Sequence, residues 1–215
     1  MAKNRLGTGI RQDQIAEAAL DIVRSHGIRA LNVAAVAEKV GIVPSAVYRH
    51  FKNKGDIVGA VLQLIRTRLD AHFRDVVLLD VDAVQKLHLL LKRHIELISS
   101  HHAIPRIIFS EAVIGGLPEK RQQLFGIIQD VIANVSAIVR AGQETDHIRR
   151  DMPPETIAVA FLGMIQPAAI IWNLSDGAFD LVQHSQRAWR LFSDAVAPEP
   201  VGGLQPATAP PGQFC

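Results

Sequence analysis

Apolar residues recur at three- and four-residue spacing through most of the chain, as they do on one face of an amphipathic helix. Residues 10–25 place Ile15, Ala19 and Val23 on one such face, and Gly27 is a typical residue at which a helix ends. No stretch alternates apolar and polar residues as a half-buried strand would. The pattern therefore predicts an all-α protein.

Two short helices are predicted between Leu31 and Lys54, separated by a break of about three residues. Asn32 can cap the first helix, Gly41 can end it in the left-handed conformation, and Pro44 can open the second, which is expected to reach His50. Two short helices across a Gly-containing turn are typical of a helix-turn-helix, whose second helix enters a DNA major groove. The same pattern also fits a helical hairpin that only packs.

Six further helices are predicted from apolar periodicity together with caps and Pro or Gly breaks. Their expected ranges are 53–73, 82–100, 105–109, 118–142, 154–172 and 179–196. Residues 197–215 contain eight Pro or Gly among nineteen and have no periodic apolar pattern. This composition predicts a disordered tail.

Residues 157–175 contain no charged side chain and are long enough to be considered as a membrane span. Gln166 and Asn173 interrupt the apolar run, and Glu155 and Asp176 flank it without a basic side that would set an orientation. We therefore expect no membrane association. A helix that is apolar nearly all round must still be covered, and a partner subunit is the expected cover.

Charge is distributed unevenly along the chain, although the formal net charge is only +2. Residues 1–54 carry nine Lys or Arg against four Asp or Glu, and the remainder carries fourteen against seventeen. A DNA-binding domain joined to a near-neutral domain would show this asymmetry, although a solvated basic face would look the same. The single cysteine, Cys215, excludes an intramolecular disulfide and favours a cytoplasmic location.

The sequence around the helix pair resembles the amino-terminal domain of the tetracycline-repressor (TetR) family. The resemblance spans residues 10–62 and rests on V-x-x-V-A-x-x-V-G-I followed by V-Y-R-H-F-K-N-K. Its most specific part is the combination of Tyr48, His50, Phe51 and Lys54.

The resemblance implies an all-α fold of about nine helices in two domains. Residues 1–54 would form a three-helix helix-turn-helix domain, residues 55–196 a ligand-binding and dimerisation domain, and residues 197–215 the tail. The implied function is that of a homodimeric transcriptional regulator, usually a repressor. A small apolar or amphipathic effector would release it from a palindromic double-stranded DNA operator.

The resemblance implies phosphate contacts for Tyr48, His50 and Lys54, and base contacts for Ser45. Val43 stands where the family usually has Ser or Thr, so one capping hydroxyl and phosphate contact is missing. Ala34 and Ala35 stand where the family often has polar residues, and Ala46 is short and apolar, which leaves Ser45, with Arg49 as a second candidate, to read base edges. Shape and phosphate contacts are therefore expected to carry much of the affinity. The residues expected at the DNA interface are Asn32, Val43, Pro44, Ser45, Ala46, Tyr48, Arg49, His50 and Lys54.

An effector cavity is expected among helices four to eight. Polar groups such as His94, Gln129 or Asn134 would orient an apolar or amphipathic ligand inside it. The residues predicted to line it are Leu91, His94, Ile95, Ile108, Phe109, Leu124, Ile128, Phe161, Ile165 and Trp172. The resemblance also implies a two-fold interface made by the last two helices. Its expected residues are Gly163, Ala168, Ile171, His184, Ala188, Leu191 and Phe192.

The sequence offers little support for metal binding or for catalysis. Histidines occur at 88, 94, 101 and 102, but His88 and His94 are six apart and would point to different sides of a helix, so we expect no metal and no cofactor. The sequence has no Gly-rich phosphate loop, no G-x-S-x-G and no H-E-x-x-H, so we do not expect the protein to be an enzyme. Two alternatives remain open: a DNA-binding dimer without a small-molecule effector, architectural or controlled by a protein partner, and, less favoured, a helical enzyme whose apolar pocket carries no known motif.

Overall fold

The protein, seen in a computed structural model that describes residues 8–116 and 118–198, contains nine α-helices and no strand within those ranges. The helices are α1 (Thr8–His26), α2 (Val33–Val40), α3 (Pro44–Tyr48), α4 (Lys54–Val77), α5 (Ala83–Ser100), α6 (Ala103–Ile108), α7 (Pro118–Glu144), α8 (Pro154–Leu174) and α9 (Leu181–Val196). The all-α prediction is confirmed. The tail expected at 197–215 lies outside the described residues from 199 onward.

The helix starts follow the predicted capping residues. Asn32 and Asn53 each accept a hydrogen bond from the backbone N–H three residues ahead, at 2.9 and 3.0 Å. Asp82 and Gln85 bond to each other's backbone N–H groups in a complete capping box. Gly41 ends α2 with a φ of 74°, a left-handed conformation that glycine adopts without strain.

Several helix ends differ from the prediction by up to four residues, the most at α4, which continues to Val77 instead of ending near residue 73. Two of the smaller differences have a local cause. Helix α3 ends at Tyr48 rather than at His50, because the chain turns there to bury Phe51 in the core. Helix α6 begins at Ala103, two residues before Pro105, because a proline within the first turn lacks only an N–H that would have no intrahelical partner. Both differences are of the size by which helix ends commonly vary.

The buried side chains form two cores that share α4. The first core joins α1, α2 and α3 to the first half of α4 and to α6, and its α4 members include Ile57 and Leu62. The second core joins α5, α7, α8 and α9, and Phe73 near the end of α4 packs against it. Helix α4 therefore runs from the helix-turn-helix to the carboxyl-terminal helices.

Helices α7 and α8 are long and apolar enough to cross a membrane, judged by length and composition alone. Core helices of water-soluble proteins meet the same criterion. In this fold both helices contribute to the second core, where Val139 of α7 and Phe161 of α8 are buried. Burial within the protein thus accounts for part of their apolar character.

Replacing Gly142 by alanine is expected to destabilise the fold. A Cβ at this position would lie 2.6 Å from the Ala83 Cβ and 2.7 Å from the Ile148 Cδ1, both in the core. Overpacking of this kind costs about 1–3 kcal/mol, which exceeds the gain in helix propensity of about 1 kcal/mol. Denaturant unfolding measures the difference.

The matched control is Gly126→Ala on the same helix, where an added Cβ meets nothing within 4 Å. This variant is expected to be unchanged or more stable by about 0.5–1 kcal/mol. Equal effects of the two substitutions would contradict the close approach at Gly142.

Candidate DNA interface and ligand cavity

Helix α3 presents a polar and partly apolar surface to solvent. Val47 is fully buried and anchors the helix, whereas Tyr48 and Val43 are 54% and 65% exposed. Ser45 and Arg49 are also exposed. The helix thus offers the dimensions and the free face that a DNA major groove admits.

The remaining residues predicted at the DNA interface lie around α3. Pro44 and His50 are exposed and Ala46 is half-buried. The Asn32 side chain is engaged at the start of α2, where it also donates to the Ala30 carbonyl at 3.2 Å. The Lys54 ammonium donates to the carbonyl of Ile28, so it also ties α4 to the turn before α2.

A cavity of about 270 Å³ lies between the two cores, bounded by α4, α5, α6, α7 and α8. Most of its wall is aliphatic, and the polar side chains that line it are His94 and Gln166. Its lining comprises Leu62, Ile65, Leu69, His94, Leu97, Ile98, Ile104, Pro105, Ile108, Phe109, Ile114, Leu124, Ile127, Ile128, Val131, Leu162, Ile165, Gln166 and Ala169. An apolar pocket with few polar groups is typical of small-molecule sites.

The cavity brings together part of the predicted lining set. The members that line it are His94, Ile108, Phe109, Leu124, Ile128 and Ile165. Leu91 and Ile95 lie instead on the side of α5 that faces α9. Phe161 lines a small neighbouring chamber, and Trp172 is buried against the ring of His102, 4.2 Å away between centroids.

The expected lining set did not include Gln166 or any residue of α4, although both contribute to the cavity wall. Leu62, Ile65 and Leu69 have the spacing of any buried helix face, so the sequence does not distinguish them from residues of the core. A lone glutamine in an otherwise apolar run was the available signal for Gln166. Gln129, expected as a polar orienting group, is exposed on the other side of α7, and Asn134 lies in the small chamber.

Arg68 of α4 connects the helix-turn-helix domain to the wall of the cavity. It forms an ion pair with Glu17 of α1, and its Nη1 lies 3.1 Å from Nε2 of His101. His101 separates α5 from α6, and both helices line the cavity. Its Nδ1 lies 3.2 Å from the Leu97 carbonyl, so the imidazole that accepts from Arg68 carries its proton on Nδ1.

The residues predicted at a dimer interface fall into two groups. Ile171 and Leu191 are exposed, the latter at 75%, and an added Cβ at Gly163 would meet open space. His184 and Ala188 are half-buried. Ala168 and Phe192, in contrast, are buried by the protomer's own core, since the Phe192 ring packs edge-on against that of Phe161.

Further apolar residues are exposed beside the first group. They are Val159, Ile170 and Leu174 on α8 and Val182 on α9. A run of exposed large apolar residues on two neighbouring helices is unusual for a monomer surface and typical of an interaction site.

Burial, together with a smaller effect of the imidazole of His72, lowers the pKa of His94 to about 4. The unfolded chain, with an imidazole pKa of about 6.5, then binds a proton that the folded chain does not. The contribution of uncharged His94 to the free energy of unfolding is therefore expected to be fully present above pH 6.5. This contribution, on the order of 3 kcal/mol, is lost as the pH falls toward 4. The measurement is denaturant unfolding across this window.

His94→Leu removes the titrating group, so its stability should fall less steeply than that of the wild type between pH 6.5 and 4. Carboxylates and the other histidines contribute equally to both proteins. Parallel pH curves for wild type and variant would show that His94 is protonated as readily in the folded chain as in the unfolded one.

Two family models together cover most of the chain. Residues 15–61 match the model for bacterial regulatory proteins of the tetR family, and residues 80–196 match the tetracyclin repressor-like, C-terminal domain. The second match alone includes more than half of the 215 residues.

Curated relatives are transcription and nucleoid factors. The fatty acid metabolism regulator protein of Bacillus subtilis (strain 168) is 22% identical over 183 residues, which cover 85% of this chain and 94% of that protein. The HTH-type transcriptional repressor KstR2 of Mycobacterium tuberculosis is 30% identical over 102 residues, 47% of this chain and 51% of that protein. The nucleoid occlusion factor SlmA of Aliivibrio fischeri is 20% identical over 187 residues, 86% of this chain and 95% of that protein.

Solved structures share the whole fold. The fatty acid degradation regulator FadR of Bacillus halodurans superposes with a TM-score of 0.76 at 19% identity, covering 88% of this chain and 97% of that one. The regulator FadR of Bacillus subtilis, solved in complex with stearoyl-CoA, gives 0.74 at 22% identity, covering 86% of this chain and 98% of that one. With its helix-turn-helix, its central α4 and both family matches, the chain belongs to the TetR family and is a DNA-binding transcriptional regulator.

Proposed function

We propose that this regulator acts as a repressor that leaves its operator when a small apolar or amphipathic molecule fills the cavity between its two cores. The observation that carries the proposal is the position of the cavity, whose wall includes Leu62 and Ile65 of α4. The same helix holds Ile57 and Val61 in the helix-turn-helix core. A ligand that favours one position of α4 therefore changes the placement of α3.

Relatives support the chemical class of the effector. The Bacillus subtilis FadR structure contains stearoyl-CoA, whose acyl group is a long apolar chain. The cavity in this protein has an aliphatic wall suited to such a chain. Because Arg68 joins α1 to the junction of α5 and α6, displacement of α6 by a ligand would also disturb this contact.

The working unit of the proposal is a homodimer held by α8 and α9. Ile171, Leu174 and Leu191 supply exposed apolar area, and Gly163 permits close approach of a second helix. Burial of this area is favourable by roughly 25 cal/mol per Å². Two-fold symmetry in the protein implies a palindromic operator with half-sites set by the spacing of the two α3 helices.

Within the DNA interface we assign base contact to Ser45, which is exposed on α3. Arg49, the second base-reading candidate in the sequence, lies just after the last residue of α3, exposed and charged, and we assign it to phosphate contact instead. Arg49→Gln should weaken binding to all duplexes and reduce the slope of log affinity against log salt by about 1. Ser45→Ala should alter preference among operator variants and leave the salt slope unchanged. Anisotropy titrations on duplexes selected from a random library measure both effects.

If the two variants changed affinity, sequence preference and salt slope in the same way, the assignment of roles would be wrong. Lys39→Gln is a suitable control for net charge, since Lys39 lies on α2 and pairs with Asp21 of α1 at 3.5 Å.

Filling the cavity should block the response to an effector. Stearoyl-CoA is the probe, and it is expected to weaken operator binding of the wild type by about ten-fold, within the usual range of allosteric coupling. Ile128→Trp replaces an aliphatic side chain of the cavity wall by an indole, which should exclude the acyl chain. Addition of stearoyl-CoA should then leave the operator affinity of this variant at the value measured for the same variant without the probe. The control Phe125→Trp alters an exposed position of the same helix and should respond as the wild type does.

A molecule that occupies the cavity without changing operator affinity would contradict the effector role. Chemical turnover of such a molecule would indicate an enzyme. The relatives that are nucleoid occlusion factors favour a second candidate, a DNA-binding dimer that works without a small-molecule effector. That function predicts stable operator binding with the cavity filled.

A further inference from the structure

A small chamber with three polar side chains adjoins the apolar cavity. Leu69, His94 and Val131 line both spaces, so the chamber is a side extension of the cavity at this point. The chamber adds His72 of α4 and Asn134 of α7 to His94 of α5. Three polar side chains from three helices thus line one side extension of a cavity whose wall is mostly aliphatic.

The chamber is large enough for one polar group and no more. Its volume is about 30 Å³, roughly the share of liquid volume of a single water molecule. Nδ1 of His72 is buried and makes no hydrogen bond to any described residue. A buried polar atom without a hydrogen-bond partner is unfavourable, so a ligand that supplies the partner gains affinity.

The side chains that line the cavity and the chamber restrict the charge of a ligand group that enters the chamber. Among the residues that line the cavity and the chamber, none is Lys, Arg, Asp or Glu. Arg93 is the cation with the largest electrostatic effect on His72. It pairs with Asp75 at 2.9 Å and donates a hydrogen bond to the backbone carbonyl of His72. Burial lowers the pKa of both His72 and His94, so both imidazoles are uncharged at neutral pH. A carboxylate would therefore enter without a cation to pair with it.

We propose that the effector carries an uncharged oxygen, a hydroxyl or a carbonyl, on the part of its apolar skeleton that reaches His72, His94 and Asn134. A neutral imidazole has one donor and one acceptor nitrogen, so it can serve either oxygen function. The inference rests on the proposed effector role of the cavity and narrows the class of molecule that fills it.

The test compares ligands that differ in one group and needs no DNA. The full-length protein is loaded with Nile red, which 1-alkanols and 1-chloroalkanes of matched chain length then displace. The ratio of the two dissociation constants at each length cancels the contribution of the shared chain. In His94→Leu and in His72→Leu this ratio should shift against the alkanol by about ten-fold relative to the wild type.

Gln166→Leu is the matched control, because Gln166 lines the cavity but not the chamber. It should leave the ratio unchanged. The imidazole ¹⁵N resonances of His72 and His94 should move when an alkanol binds and stay in place when a chloroalkane binds.

Equal ratios in wild type and His94→Leu would overturn the inference, as would a shift confined to Gln166→Leu or failure of every alkanol to bind. Alkanoates that bind more tightly than alkanols of the same length would overturn the claim of an uncharged group. Each of these results leaves the proposed repressor function intact, since release of the operator by another cavity ligand is measured separately.

Discussion

The fold depends on one constraint: α4 must satisfy two hydrophobic cores at once. Its first half is buried against the helix-turn-helix, and Phe73 near its end packs on the carboxyl-terminal helices. Close-packed cores resist gradual deformation, so a rigid helix shared by two of them moves as a unit or not at all. The cavity lies where the two cores meet, which is the place where added volume acts on both.

Polar contacts between elements are concentrated around the same helix. Arg66 of α4 pairs with Asp130 of α7, and Gln123 of α7 donates to the Gly59 carbonyl at 2.9 Å. Arg68 reaches both α1 and His101. Half-exposed ion pairs add little to stability individually. Their distribution along α4 instead fixes the position of this helix relative to the elements that bind DNA and to those that enclose the cavity.

The local elements could be predicted closely because short-range chemistry decides them. Asn32, Gly41 and Pro44 set the ends of α2 and the start of α3 through caps, a left-handed turn and a fixed φ. The recognition segment could be located because its residue combination, including Tyr48 and Lys54, resembles a known family. The end of α3 could not be predicted in the same way, because burial of Phe51 in the first core decides where the helix stops.

Periodicity, capping and charge were enough to predict the all-α class, the helix order and the basic amino-terminal end from the residues alone. Which apolar residues line a cavity and which fill a core depends on how the helices pack: Ile165 and Phe161 lie one turn apart on α8 and face different spaces. Packing likewise covers Phe192 within the chain's own core and leaves Leu191 exposed. These outcomes could not be predicted because the hydrophobic effect is not directional, so a helical pattern shows what will be buried but not what will cover it.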